Sequence, residues 1–260
     1  RVGGDGSVKL ILHNDNTAGA ANPCDSANNS ASAAFARYSG TTYKSAFNTN
    51  SNDNAYVGFM YGTVGASDYA TTHANTNKST ILTNLETWYN NNLKAYESVI
   101  DDNVWCNDKT NVTDTTYDPW SITPNGLGYA KNVTYYGATQ RLVSASNSAG
   151  GTGPSLNCNG KLSKITSKIG LITADELAFA GYAWNIDNTT TYLQENATGN
   201  SWWSLSPFFF DGDARVWGVG DSNGSFGLYM SNTLAVRPSI SLISSVTISG
   251  GTGTSEDPYI

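Results

Sequence analysis

The chain has 260 residues, enough to bury a substantial core within one large domain. Only 13% of the residues are charged, and 14 basic against 21 acidic side chains leave a net charge of −7, which repels phosphate backbones and excludes nucleic acid as an expected partner. No apolar run reaches the roughly 18 residues of a membrane span, and Arg1-Val2-Gly3-Gly4 is not a signal peptide, so any anchor is expected outside these residues.

In chain order, Ser7-Val8-Lys9-Leu10-Ile11-Leu12 follows an Asp5-Gly6 turn and reads as an early strand. Residues 18–54 are small and polar with Phe35, Tyr38, Tyr43 and Phe47 as isolated anchors, which predicts loops tacked onto a core. Residues 55–62, Ala-Tyr-Val-Gly-Phe-Met-Tyr-Gly, read as a short buried strand. From Ser79 to Ile100 the apolar residues Ile81, Leu82, Leu85, Trp88, Tyr89, Leu93, Tyr96 and Ile100 recur at helical spacing, predicting a helix that buries one face, with Ser79 as its N-cap.

Residues 107–160 form a loop-rich insertion, punctuated by Asp118-Pro119, Pro124-Asn125-Gly126 and Gly150-Gly151-Thr152-Gly153-Pro154. Within it only Tyr135-Tyr136-Gly137-Ala138 is ordered enough in composition to pack. Lys168-Ile169-Gly170-Leu171-Ile172 reads as a strand, and Thr173-Ala174-Asp175-Glu176 as a capping box opening a short helix over 174–180 that Gly181 ends. Strand-like pieces at 214–219, 225–229, 234–242 and 245–248 alternate with Gly, Asp and Asn turns and predict an antiparallel sheet. Two helices, several strands and long inserted loops argue for an α+β domain.

The three cysteines, Cys24, Cys106 and Cys158, show no CxxC spacing, and the only histidines are His13 and His73, so a zinc site is not expected. Two readings stay open: a Cys106–Cys158 disulfide stapling the insertion and leaving Cys24 unpaired, or three buried thiols. No nucleophile with a histidine base is visible, and the adjacent acids Asp101-Asp102, Asp175-Glu176 and Glu256-Asp257 are of the solvated cap-and-turn kind. No catalysis is expected.

The most informative feature is a pair of Trp-, Leu-, Val- and Pro-rich segments, 202–207 and 235–242, that bracket residues 208–232. Between them Phe208, Phe209, Phe210, Trp217, Phe226 and Tyr229 are candidate ligand-binding aromatics, and Asp211, Asp213, Arg215, Asp221 and Asn223 could add polar specificity. Strand alternation predicts that about half of the aromatics point inward instead.

Several motifs carry a resemblance that spans the chain: Asp5-Gly6-Ser7-Val8-Lys9-Leu10, Asn54-Ala55-Tyr56-Val57-Gly58-Phe59-Met60-Tyr61-Gly62, His73-Ala74-Asn75-Thr76-Asn77, Trp105-Cys106-Asn107-Asp108, Ile169-Gly170-Leu171-Ile172-Thr173-Ala174-Asp175-Glu176, Trp202-Trp203-Ser204-Leu205-Ser206-Pro207, Val236-Arg237-Pro238 and Gly253-Thr254-Ser255-Glu256-Asp257-Pro258-Tyr259. With these the chain resembles the C-type-lectin-like fold in the form shared by formylglycine-generating-enzyme-like domains and the variable proteins of diversity-generating retroelements. It resembles in particular surface domains of gut Firmicutes carried behind pilin-like or membrane-anchoring N-termini.

The resemblance implies one C-type-lectin-like domain over 1–260, exported and displayed at an extracellular bacterial surface. Its ligand region would lie at 200–242, braced by Trp202, Trp203, Leu205, Pro207, Arg237 and Pro238, and its ligand would be a protein or glycan on another cell or host surface. Residues 208–232 hold no Lys, Glu or Gln, as adenine-directed diversification of Asn codons requires, with Trp217 and Met230 as fixed positions. The alternatives are a structural subunit of a type IV pilus-like filament and a formylglycine-generating-type oxidase. The oxidase is disfavoured because all three cysteines precede residue 160. No cofactor is expected. Calcium is allowed only through Asp/Asn loops such as Asn14-Asp15-Asn16, and Trp184-Asn185-Ile186-Asp187 matches the calcium-lectin element only superficially.

Overall fold

The structure is a computed structural model that describes residues 1–3, 6–14, 30–221, 224–252, 254 and 257. Cys24, Asp15, Asn16 and Asn223, and most of the motif at 253–259, lie outside the described residues.

The protein is α+β, with small, mostly antiparallel sheets and few helices. The architecture turns on β11 (Trp202–Phe210), a nine-residue strand in which every residue is buried. It lies inside a six-stranded sheet, with β12 (Ala214–Val219) and then β13 (Ser225–Tyr229) on one side. On the other side come β14 (Leu234–Ala235), then β4 (Lys44–Ser45), while β8 (Thr134–Tyr135) pairs with its C-terminal end. Pro207 has no N–H to donate, and the pairing with β12 shifts register on both sides of it.

The shifts break the two-residue alternation of β11. Trp203, Leu205 and Phe210 enter the largest core cluster, whereas Phe208 and Phe209, though consecutive, both enter a second one. Trp202 enters a third, with Phe35, Leu177, Tyr182 and Val219.

A second sheet orders β1 (Val8–Ile11), β15 (Ser239–Leu242) and β10 (Ile169–Gly170). Two-stranded ribbons join β2 (Arg37–Tyr38) to β3 (Thr41–Thr42), β5 (Met60–Tyr61) to β6 (Asn77–Lys78), and β7 (Asn103–Cys106) to β9 (Lys164–Ser167). A disulfide joins Cys106 to Cys158, whose Cα atoms are 5.4 Å apart. Residues 55–62 are not one strand: Asp53 Oδ1 accepts from Ala55 N at 2.9 Å and caps a 3-10 turn over Asn54–Val57 before β5 begins. Residues 245–248 form no strand.

Four α-helices occur among the described residues, where two were expected. α1 (Tyr69–His73) and α3 (Gly137–Leu142) are too short to show a hydrophobic period. α2 (Thr80–Asn92) starts where Ser79 Oγ accepts from Leu82 N at 3.2 Å, and buries Ile81, Leu82, Leu85 and Tyr89. It stops well short of Ile100 because Asn90-Asn91-Asn92 is a poor helix-forming run, and Asn92 Nδ2 donates back to Trp88 O at 2.7 Å. Tyr96, expected on the buried face, is exposed. α4 (Ala174–Phe179) has the expected capping box, with Glu176 N donating to Thr173 Oγ1 (3.1 Å) and Thr173 N to Glu176 Oε2 (2.9 Å). Gly181, at φ +97, follows its end.

Residues 107–160 are not a peripheral insertion. Val112, Tyr117, Tyr135, Ala138 and Val143 are buried and build the second core cluster together with Phe208, Phe209 and Trp217.

Candidate ligand site

The structure divides the expected surface of residues 208–232 into an inner and an outer set. Phe208, Phe209, Phe210 and Trp217 are all interior, the most open being Phe208 at 3%. This corrects the expectation that they form ligand surface. β11 is covered on both faces, and each ring is claimed by the protein: Phe209 stacks on Tyr135 (4.4 Å, 13°), and Phe208 stacks on Trp184 (5.4 Å, 20°) and meets Trp217 edge-on (4.9 Å). Phe210 packs in the largest cluster.

The outer set is brought together only in part. Arg215 Nη2 donates to Asp211 Oδ2 at 2.7 Å and to the Tyr229 hydroxyl at 3.2 Å, with its guanidinium 4.6 Å from the Tyr229 ring centre. Asp213 is exposed but accepts from Ser51 Oγ at 2.6 Å, and exposed Asp221 accepts from Gly199 N, so both tie down loops. Phe226 is half-buried.

Two tryptophans that sequence reasoning did not place at a site lie alongside. Trp120 and Trp184 are half-buried, 5.4 Å apart, and rest on Phe208. Both indole N–H groups donate to Asn147 Oδ1, at 2.9 and 3.1 Å. Asn147 has φ +58 in a turn closed by Ser144 N donating to Ser148 O (2.9 Å), a left-handed position that asparagine tolerates better than most residues. The sequence signals were tryptophan itself, standing in otherwise polar, turn-rich stretches, and for Trp184 the superficial lectin-element match at 184–187.

Behind Trp184 lies a cavity of about 220 Å³, walled by Trp184, Trp217, Ser225, Ala174, Ala178 and the glycine loop 150–154. That loop is pinned to α3, since Gly151 N and Gly153 N both donate to Arg141 O. Ser225 is held against Trp184 by a parallel bridge, with Asn185 N donating to Ser225 O at 3.2 Å. Trp217 is 1% and Ser225 4% exposed, yet Trp217 Nε1 and Ser225 Oγ have no hydrogen-bond partner in the protein.

A second cavity of about 300 Å³ lies near the disulfide and is lined by Arg1, Lys9, Arg141, Asp108, Asp175 and Glu176. Its charges satisfy one another. Lys9 Nζ meets Glu176 at 2.8 Å, Arg1 Nη1 meets Glu176 at 3.0 Å, and Arg141 bridges Asp175 (2.6 Å) and Asp108 (2.9 Å). Three cations against three carboxylates leave little net field for a charged ligand.

The remaining titratable groups serve the interior. Burial, with Lys109 nearby, lowers the His73 pKa to about 3, and its Nε2 donates to Gly128 O at 2.7 Å. Burial also lowers the Lys109 pKa to about 7, and its Nζ donates to Met60 O, His73 O and Asn75 Oδ1 at 2.9, 2.8 and 2.6 Å. His13 stacks on Tyr192 and faces Arg237. Arg237 is fully buried and donates to Leu12 O at 2.8 Å and to Leu193 O, bracing the fold through backbone carbonyls. Among the described residues no group of three or more His, Cys, Asp or Glu side chains is placed to hold a metal ion, and no helix is long and apolar enough to cross a membrane. No protein-family model, curated protein or solved structure matches the chain.

Proposed function

We propose that this chain is a C-type-lectin-like domain that is displayed at an extracellular bacterial surface and binds a protein or glycan ligand without catalysis. The ligand is engaged at the Trp120–Trp184 platform and the cavity behind it. The observation that carries this reading is the Trp120–Trp184 pair, two half-buried rings 5.4 Å apart beside a cavity of about 220 Å³. A rigid aromatic ridge beside a small, largely apolar cavity is the general form of a ligand site. The Cys106–Cys158 disulfide supports an oxidising, exported location. Retroelement diversification, as the resemblance implies it, is then confined to outward positions such as Asp211, Asp213, Arg215, Phe226 and Tyr229, because the buried ones hold the core.

The test is adhesion of cells displaying the chain to immobilised glycans and to intact bacterial cells. Trp184→Ala should reduce adhesion, while Arg215→Ala should have the smaller effect. Adhesion that survives Trp184→Ala places the site elsewhere.

A further inference from the structure

We infer that the groove between the β2–β3 hairpin and α2 is a second ligand site, and that it takes a neutral hexose oligosaccharide. It shares no residue with the Trp120–Trp184 platform and does not rest on it. The local sequence builds both walls. Ser39 and Gly40, at φ +49 and +78, form the two-residue left-handed turn that matches the twist of a hairpin. A Cβ on Gly40 would meet nothing, so that glycine is there for its conformation. The turn carries Tyr38 out to 65% exposure. Tyr43 follows β3 with its backbone fixed at both ends, its N donating to Ala36 O at 2.7 Å and its O accepting from Val236 N at 3.1 Å, and its ring centre lies 6.2 Å from that of Tyr38. The opposite wall is α2. There Trp88 packs on the largest core cluster yet stays half-buried, and Asn91 lies one turn further along the same side of the helix.

The groove has a volume of about 410 Å³, the size of a small-ligand site. Tyr38, Tyr43 and Trp88 give its walls ring surface, whose negative π-face attracts the polarised C–H groups of a sugar ring. The Tyr38 and Tyr43 hydroxyls, the Trp88 indole N–H and the Asn91 carboxamide bond no described residue, and none of them is enclosed. Hydroxyls and a carboxamide both donate and accept, as sugar hydroxyls do, so the two sets can pair in either sense. The charge on the lining is already engaged: Arg37 donates to Ser32 O at 3.2 Å, Ser32 Oγ at 3.0 Å and Thr42 Oγ1 at 3.3 Å. No described carboxylate lines the groove, so the lining offers no unspent charge to an acidic glycan or a cationic peptide. A lipid tail would leave the polar groups of the walls unpaired. A proline-rich segment would bring ring contacts and carbonyl acceptors, but proline has no N–H to give the tyrosine and asparagine oxygens. A neutral sugar uses both the rings and the bifunctional polar groups.

The experiment is calorimetric titration of the whole chain with cellohexaose, laminarihexaose, maltohexaose and mannohexaose, with oligogalacturonate as the acidic control and decaproline as the peptide control. At least one neutral hexaose should bind with a dissociation constant below about 1 mM, and neither control should. Tyr38→Ala and Trp88→Ala should each weaken that binding about tenfold, the worth of one good ring contact. Tyr38→Ala should do so at a nearly unchanged melting temperature because the side chain is mostly exposed, so that a folding defect in Trp88→Ala cannot by itself explain the loss. Trp184→Ala should leave the sugar titration unchanged. Failure of all four hexaoses to bind, binding indifferent to Tyr38→Ala, or binding of decaproline or oligogalacturonate in their place would each overturn the inference. Sugar binding that is lost in Trp184→Ala and kept in Trp88→Ala would assign the sugar to the platform and refute this groove. Adhesion independent of Trp184, with hexaose binding that still depends on Tyr38, would remove the platform and leave this site standing.

Discussion

Gly227 lies beneath the ring of Phe208: a Cβ added to this glycine would fall 2.0 Å from Phe208 Cδ1. The two residues sit on strands separated by β12, so the Phe208 ring crosses the sheet and occupies the space where Gly227, paired with Trp217, would otherwise place a side chain. Trp184 and Trp217 hold that ring in place, and through them the glycine helps set the wall of the cavity behind Trp184.

Gly227→Ala should therefore destabilise the fold by about 1–3 kcal/mol, the usual cost of forcing extra volume into a packed interior. Urea denaturation measures it, and the double variant with Phe208→Ala should recover part of the loss, because removing the ring frees the space. Additive losses in the double variant would show that Phe208 is not the obstacle.

Trp203 is fully buried, donates from Nε1 to Ser45 O at 2.8 Å and meets Phe47 edge-on at 5.8 Å. Trp203→Ala should cost about 3–5 kcal/mol, from the lost burial and the cavity left behind. A change below about 1 kcal/mol would be incompatible with its place in the core.

Stability should fall on acidification through His73. Its folded pKa of about 3 lies below the ordinary histidine value of 6.5, chiefly because the ring is buried, so the unfolded chain takes up the proton first. This contribution is intact above pH 6.5 and is lost as the pH falls toward 3, amounting at most to about 5 kcal/mol. Denaturation midpoints across that window, compared with His73→Asn, isolate it from the carboxylates; a variant with the same acid slope would refute the assignment.

The disulfide closes a separation of 52 residues, which in the chain-entropy model stabilises the fold by roughly 4 kcal/mol. The Cys106→Ser and Cys158→Ser pair should lose a comparable amount. Non-reducing peptide mapping of exported protein should recover the two cysteines linked; free thiols at both would contradict the bond.

Local signals carried much of the fold. The spacing of Ile81, Leu82 and Leu85 behind Ser79, and the Thr173–Glu176 box before Gly181, marked helices because each pattern is complete within one or two turns. The hairpin pieces at 214–219 and 225–229 were legible for the same reason. The bracing role of Arg237 was an expectation of the resemblance and not of any local signal, and its acceptors, Leu12 O and Leu193 O, come from distant parts of the chain.

By itself the sequence determined which residues were apolar, where the helices at 80 and 174 began, and that the charge balance disfavours nucleic acid. Tertiary structure decided which aromatics face outward. Phe208, Phe209 and Phe210 look like exposed anchors between two rigid flanks, but β11 lies inside its sheet with both faces covered, and the break at Pro207 turns two consecutive rings into one cluster. The candidate site depended on tertiary contacts in the same way. Trp120, Asn147 and Trp184 converge through hydrogen bonds across 27 and 37 residues, and Trp217 and Ser225 share a wall only because β12 pairs with β13. Composition and period describe what a side chain prefers, whereas burial depends on what the rest of the chain places over it, and that is set by strand order and long-range packing.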